Sequence, residues 1–238
     1  MRAYFLLFTA LLSLPAVARE FPLSDQLGVV RLRQKKQLKP AQQATISQST
    51  AELKKQGIGK SAPKKGDTLP DFTLPKTGGG SVQLSELVKA GPVVVSFYRG
   101  SWCPYCTVQL LDFQKHLGDI QKAGGQLVAI TPEETARSEE FAKGKGFQFP
   151  IAWDKDNAFA KQLNIVYALP TEMKKLHEEL GVDLKASQGN DQWQLPVPAT
   201  FVVDKNRVVQ FAYIDVDYSK RAETSELVRA VKTAAKAK

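Results

Sequence analysis

Val93-Val94-Val95-Ser96-Phe97-Tyr98-Arg99-Gly100-Ser101-Trp102-Cys103-Pro104-Tyr105-Cys106 is the stretch on which the fold turns. Pro92 opens an apolar, β-branched run of the kind buried on both faces of a sheet. Arg99-Gly100-Ser101 ends that run. Leu110, Phe113, Leu117 and Ile120 then recur at helical spacing as far as Gly124-Gly125. Cys103 therefore falls where a central strand turns into a helix. A helix N-terminus offers unpaired amide donors and the positive end of the macrodipole. A thiolate is stabilised there, and more nucleophile exists near neutral pH. Pro104 loses nothing at the first helical position, where its missing N–H would be unpaired anyway. Cys106 follows three residues on, which puts both sulfurs on one side of the first turn. One sulfur can attack while the other closes an internal disulfide.

Further along the chain, strands and helices alternate. Residues 71–74 alternate as a short strand, and Gly78-Gly79-Gly80 turns the chain toward Val82-Gln83-Leu84. Residues 126–131 read as a strand, 134–143 as a helix, 149–153 as a strand and 157–163 as a short helix. An inserted helix is expected over 170–180, followed by a polar stretch around 187–192. Residues 200–203 and 208–213 form a hairpin across Asp204-Lys205-Asn206, and 219–236 form a closing helix. This order implies an α/β domain over 66–238, with a mixed central sheet flanked by helices. Residues 19–65 form an N-terminal extension with a helix over 40–56. Its apolar stripe is thin, so that helix is expected on the surface or partly mobile.

The first eighteen residues have the layout of a secretory signal peptide: Arg2, an apolar stretch over 3–14, and Ala16-Val17-Ala18. A membrane anchor is the competing reading. The apolar stretch is short of the roughly 20 residues that span a bilayer. An exported chain, periplasmic or secreted and without stable membrane insertion, is the expectation. The net charge of +9 raises the question of an anionic partner. The excess gathers in residues 31–39 and at Lys232, Lys236 and Lys238, with no aromatic residues interleaved for stacking on single strands. Solvated surface, and no nucleic-acid partner, is the reading adopted.

Two cysteines in an exported chain ordinarily read as a structural bridge. A bridge closing so short a loop restricts the unfolded chain little, since that stabilisation grows with loop length. The pair is suited to opening and closing instead. Zinc needs four ligands, and the sequence adds only His116 and His177 to the two sulfurs. A c-type haem needs His directly after the second Cys, where Thr107 stands. Neither metal nor other cofactor is expected, and both histidines read as surface or packing residues.

On Gly66-Asp67-Thr68-Leu69-Pro70-Asp71-Phe72-Thr73-Leu74, residues 94–106 and residues 198–204, the chain resembles the peroxiredoxin-like branch of the AhpC/TSA group in the thioredoxin superfamily. The resemblance runs from about residue 66 to 232 and implies a thioredoxin-like fold. Laid along this chain, the family's Pro-x-x-x-Thr-x-x-Cys puts its Pro on Arg99, its Thr on Cys103 and its peroxidatic Cys on Cys106. The family arginine before the late strand falls on Pro198. Cys103-Pro104-Tyr105-Cys106 is similar to the glutaredoxin dithiol, and Trp102 is thioredoxin-like. By the same resemblance Pro198 is cis and presents backbone to substrate. Arg99, Trp102, Tyr105 and Pro198 are accordingly expected to bind substrate around the catalytic Cys103 and Cys106.

Two schemes follow. In the peroxidase scheme favoured by the family, Cys106 attacks a hydroperoxide, Cys103 condenses with the sulfenic acid, and a thioredoxin-like or small-thiol reductant restores the pair. In the exchange scheme favoured by the local motif, Cys103 attacks a protein disulfide and Cys106 resolves it. A third reading makes the domain a binding module whose cysteines form a stable bridge.

Overall fold

The computed structural model describes residues 21–236, so the export signal expected over 1–18 lies outside the described residues. At its centre is a five-stranded mixed sheet. β3 (Val93–Phe97) lies between β4 (Gln126–Thr131) and β8 (Ala199–Val203), with β5 (Ile151–Trp153) and β9 (Val209–Ile214) at the edges. β3, β4 and β5 run parallel; β8 runs antiparallel to β3, and β9 to β8. Every residue of β3 is buried. Val94 faces a core that includes Phe113, Ile120 and Leu227, while Val93, Val95 and Phe97 face one that includes Leu84, Phe159 and Phe201. A two-sided core explains the mostly apolar run. Within it, Ser96 Oγ and Thr200 Oγ1 satisfy each other at 2.9 Å across β3 and β8.

The expected hairpin is β1 (Thr73–Pro75) against β2 (Ser81–Gln83), followed by α3 (Leu84–Ala90). The helix after the cysteines is divided into α4 (Pro104–Lys115) and α5 (Leu117–Lys122), where a single helix was expected. At the break, His116 has left helical geometry, with φ −99° and ψ 9°. Its ring Nδ1 lies 2.9 Å from Asp112 O, which also receives the His116 amide, and Gly118 weakens the next turn. The apolar stripe survives the break because Leu110, Phe113, Leu117 and Ile120 all stay buried. α6 (Thr135–Lys145), a 3-10 turn (Lys155–Asn157) with α7 (Ala158–Gln162), and α8 (Thr171–Glu179) fall near their expected places. The insertion also contains a two-stranded ribbon, β6 (Val166–Ala168) with β7 (Gln194–Pro196), and α9 (Leu184–Gln188). Asp183 Oδ1 caps α9 by accepting from Ala186 N at 2.8 Å. The closing helix α10 (Thr224–Ala234) starts later than expected, after a turn in which Asp217 Oδ1 accepts from Ser219 N.

The extension holds two helices, α1 (Leu23–Gln37) and α2 (Pro40–Gln56), of which the sequence indicated only the second. α2 buries Leu53 alone. α1 lies against α4 and buries Leu23 and Leu27 in the same core as Cys103 and Cys106. Its first-turn amides, unpaired within any helix, are taken by a distant carboxylate: Leu23 N and Ser24 N donate to Glu223 at 2.8 Å each. Gln26 Nε2 donates to Asp112 Oδ1 on α4 at 3.0 Å.

One backbone expectation is overturned. The bond before Pro198 is trans, as is every peptide bond among the described residues. The chain passes straight from β7 into β8, with Val197 N donating to Ile165 O and Pro198 O accepting from Asp215 N. Extended pairing on both sides leaves no turn for a cis bond to make.

Candidate active site

Cys103 is the N-cap of α4, and three donors converge on its sulfur. Arg99 Nη2 lies at 3.2 Å, Cys106 N at 3.4 Å and Cys106 Sγ at 2.8 Å. Both cysteines are free thiols with no exposed surface. Burial alone would push the Cys103 thiol up. The hydrogen bond from Cys106 and the guanidinium charges of Arg99 and Arg221 outweigh it and hold Cys103 well below the ordinary thiol range. Cys106 goes the other way: burial raises it, and so do the proton it donates to Cys103 and the charge of Cys103, against which Arg221 and Arg99 pull. Of the two sulfurs, then, the surroundings favour the thiolate at Cys103 and the thiol at Cys106.

The turn that delivers Arg99 is held by backbone and by one buried acid. Gly100 has φ +150°, and a Cβ there would sit 2.3 Å from Trp102 Nε1, so only glycine fits. Glu133, 1% exposed, accepts from Ser101 N at 2.8 Å, Ser101 Oγ at 2.9 Å and Ser187 Oγ at 2.9 Å. Arg99 is 4% exposed and lies 4.0 Å from the Tyr218 ring centroid and 5.1 Å from that of Trp102. Its charge also acts on Tyr167.

A second arginine reaches the pair from the far end of the chain. Arg221, 8% exposed, places Nη2 3.4 Å from Cys106 Sγ. Its Nε donates to Gln109 Oε1, one turn further along α4, and Nη1 donates to the carbonyls of Tyr218 and Lys220.

Of the residues expected from sequence, Arg99, Trp102, Cys103 and Cys106 come together. Tyr105 is buried under the extension instead: its hydroxyl donates to Gln34 Oε1 on α1 at 2.8 Å, and its ring packs edge-on to Tyr218. Pro198 is buried in the passage between β7 and β8. Beside the thiols lies a cavity of about 660 Å³ between α1 and α8. Arg99, Trp102, Pro104 and Tyr218 line it on the dithiol side, and Leu38 and Leu176 line it on the helical walls. Neither Tyr105 nor Pro198 borders it. His177 does; its ring is edge-on to Trp102 and its Nδ1 lies 2.7 Å from Met173 O, a packing role as expected.

No local pattern marks Arg221, Tyr218, Gln34 or Glu133 as site residues. Lys220-Arg221 has the look of ordinary surface charge, and Glu133 carries no motif. Only the folded chain joins them to the cysteines.

Comparison with known proteins adds observations of three kinds. The model of the AhpC/TSA family matches residues 65–212. The chloroplastic peroxiredoxin Q of Sedum lineare is 31% identical over 176 residues, which is 74% of this chain and 82% of that protein. The peroxiredoxin Q of Oryza sativa subsp. japonica is 33% identical over 151 residues, and the chain spans 58% of that relative's length. Among solved structures, the peroxidoxin BcpB of Mycobacterium tuberculosis covers 72% of this chain with a TM-score of 0.57 at 23% identity. A Xanthomonas campestris peroxiredoxin Q covers 69% with a TM-score of 0.53 at 20% identity. Both structural likenesses concern the fold, a thioredoxin-like mixed sheet flanked by helices. Residues 21–64 and Arg221 lie outside the matched segment.

Proposed function

The chain belongs to the AhpC/TSA family, and from that premise we propose that it is a thiol-dependent peroxidase that cycles Cys103 and Cys106 between dithiol and disulfide. The Cys103 thiolate attacks the terminal oxygen of a hydroperoxide, the O–O bond breaks, and the alcohol or water leaves after taking a proton. Cys103 is then a sulfenic acid. The Cys106 sulfur attacks it, water departs, and a disulfide remains for an external thioredoxin-like or small-thiol reductant to open. These roles are the reverse of those obtained by laying the family motif along the sequence. One observation carries the reversal: Cys103 Sγ accepts from Arg99 and from Cys106, while Cys106 Sγ is itself one of the donors. Complete burial of both sulfurs favours a small hydroperoxide over a protein disulfide. The 19–65 extension and the 66–238 domain form one such enzyme, exported to the periplasm or beyond by residues 1–18.

Peroxide consumption with dithiothreitol as reductant tests this in the wild type, Cys103→Ser and Cys106→Ser. The wild type is expected to turn over. Cys103→Ser should lose peroxide turnover, and Cys106→Ser should form a sulfenic acid at Cys103 that dimedone traps. Absence of peroxide turnover, with protein partners held as mixed disulfides by Cys106→Ser, would replace this reading with disulfide exchange.

A further inference from the structure

The two buried arginines divide the two sulfurs between them. Arg99 Nη2 lies 3.2 Å from Cys103 Sγ, and Arg221 Nη2 lies 3.4 Å from Cys106 Sγ. Of the two, Arg99 alone donates to Cys103, although the charges of both arginines favour the thiolate there. A second cation, at the sulfur favoured as the thiol, calls for its own account. Burial of a guanidinium costs free energy unless its hydrogen bonds are met, and those found at Arg221 go to an amide, two carbonyls and the sulfur. None of these groups is a carboxylate, so nothing in this set neutralises the charge except a thiolate. The position onto which the family's arginine falls is Pro198, and Arg221 arrives from a different element outside residues 65–212.

We infer that Arg221 is the catalytic residue of the second chemical step, holding Cys106 as a thiolate when it attacks the Cys103 sulfenic acid. This rests on the peroxidase reading above. In the reduced pair the charge on Cys103 opposes ionisation of Cys106, and the Cys106 proton is committed to Cys103. Attack on peroxide converts the Cys103 thiolate into a neutral sulfenic acid. The opposing charge disappears, and Arg221 remains beside Cys106. The Cys106 proton is released, its sulfur attacks the sulfenic sulfur, the S–O bond breaks, and the hydroxyl leaves as water with that proton. The sulfurs lose two electrons in all, and the hydroperoxide gains them. The cation at Cys106 thus takes effect once Cys103 has been spent. Other ionisable groups around Cys106 are Cys103 at the head of α4, Arg99 in the preceding turn, Tyr98 at the end of β3 and Tyr167 on β6.

Two measurements separate this inference from the reading beneath it. In a Cys103→Ser background, which removes the opposing charge as oxidation does, the pH profile of Cys106 alkylation by iodoacetamide is compared with and without Arg221→Gln. Loss of the cation should raise the midpoint by at least about one pH unit, a roughly tenfold fall in rate at neutral pH. Arg221→Lys should recover part of it, and it carries the comparison should the glutamine variant fail to fold. Superimposable profiles for the Gln and Lys variants and their parent would overturn the inference. In the otherwise native chain, one equivalent of cumene hydroperoxide should leave Arg221→Gln with a dimedone-reactive Cys103 that the wild type converts to disulfide. If the wild type forms neither sulfenic acid nor disulfide, the peroxidase reading fails, while the alkylation profiles still decide whether Arg221 governs Cys106.

Discussion

Replacing Leu27 with alanine should open the active site without altering any residue of it. Leu27 is 2% exposed on α1, in the core that contains both cysteines. Alanine is at least as good a helix former as leucine, so the substitution spares α1 itself and weakens its seat on α4. Burial of a leucine is worth about 1.5–3 kcal/mol, and buried Leu→Ala changes cost about 2–5 kcal/mol once the void is included. At the edge of the core, where neighbours can close in, the low end of about 2–3 kcal/mol applies. Neither thiol has exposed surface, and α1 is tied over them by Tyr105–Gln34 and by Glu223 at its first turn. If lifting α1 is how reagent enters, the open population and the reaction rate with an aromatic disulfide rise together. At tenfold per 1.4 kcal/mol, the gain is about 30- to 150-fold. The assay follows thiol release from the reduced protein under native conditions, alongside amide exchange of α1 and global unfolding in urea. Faster exchange of α1 with an unchanged thiol rate would refute the reasoning and make the cavity beside Trp102 the way in. Should thiol reactivity rise only as much as global unfolding does, α1 is not a separate opening unit.

Three other outcomes follow from single residues. Glu133→Gln leaves Ser101 N and both serine hydroxyls facing an amide that can accept at only one atom. A loss of about 1–3 kcal/mol in urea unfolding is expected, with a rise in the alkylation midpoint of Cys103 as the Arg99 turn loosens. Gly100→Ala sets a Cβ against Trp102 at a φ that alanine rarely adopts, and should lower both stability and peroxide turnover, as calorimetry and a peroxide assay would show. His177 is held below its usual 6.5 chiefly by burial. The folded state therefore binds fewer protons than the unfolded one, and stability is complete above pH 6.5 and falls as pH drops from there toward the folded value. His177→Gln should flatten that fall, so the urea midpoint of the wild type should lose more than the variant's between about pH 7.5 and about pH 5.5.

The strand, the turn and the cysteine-headed helix were legible because each is coded by neighbours. β3 is a mostly apolar run, Pro104 starts α4, and an apolar stripe marks α4 and α5. What stayed hidden depends on distant partners. α1 carries only Leu23 and Leu27 as buried anchors among arginines, lysines and glutamines, and reads as a solvated basic run until Glu223 and Asp112 are placed beside it. Arg221 meets a sulfur 115 residues away, a separation that no local spacing encodes. The cis geometry that the resemblance implies at Pro198 fails for a related reason: it depends on the surroundings of a proline in a related fold. Here β6, contributed by the insertion, pairs with β7 and holds the approach to β8 straight.

Two cysteines three residues apart share one turn and one degree of burial, yet their proton affinities are driven in opposite directions. Neither the helix dipole nor desolvation produces that split, since both act on the pair together. It comes from donors that reach one sulfur and not the other. Arg99 arrives from the turn before the helix, and the Cys106 amide and thiol come from within it. Such a split assigns an order to the chemistry, because the sulfur that ionises first reacts first and its reaction changes the field at the second. Exchanging the two cysteines' roles by mutation would require moving Arg99, and with it the Gly100 turn and the Glu133 anchor. The order of the sulfurs proposed above thus rests jointly on the motif, whose Cys106 thiol and amide donate to Cys103, and on the strand-to-helix turn that delivers Arg99.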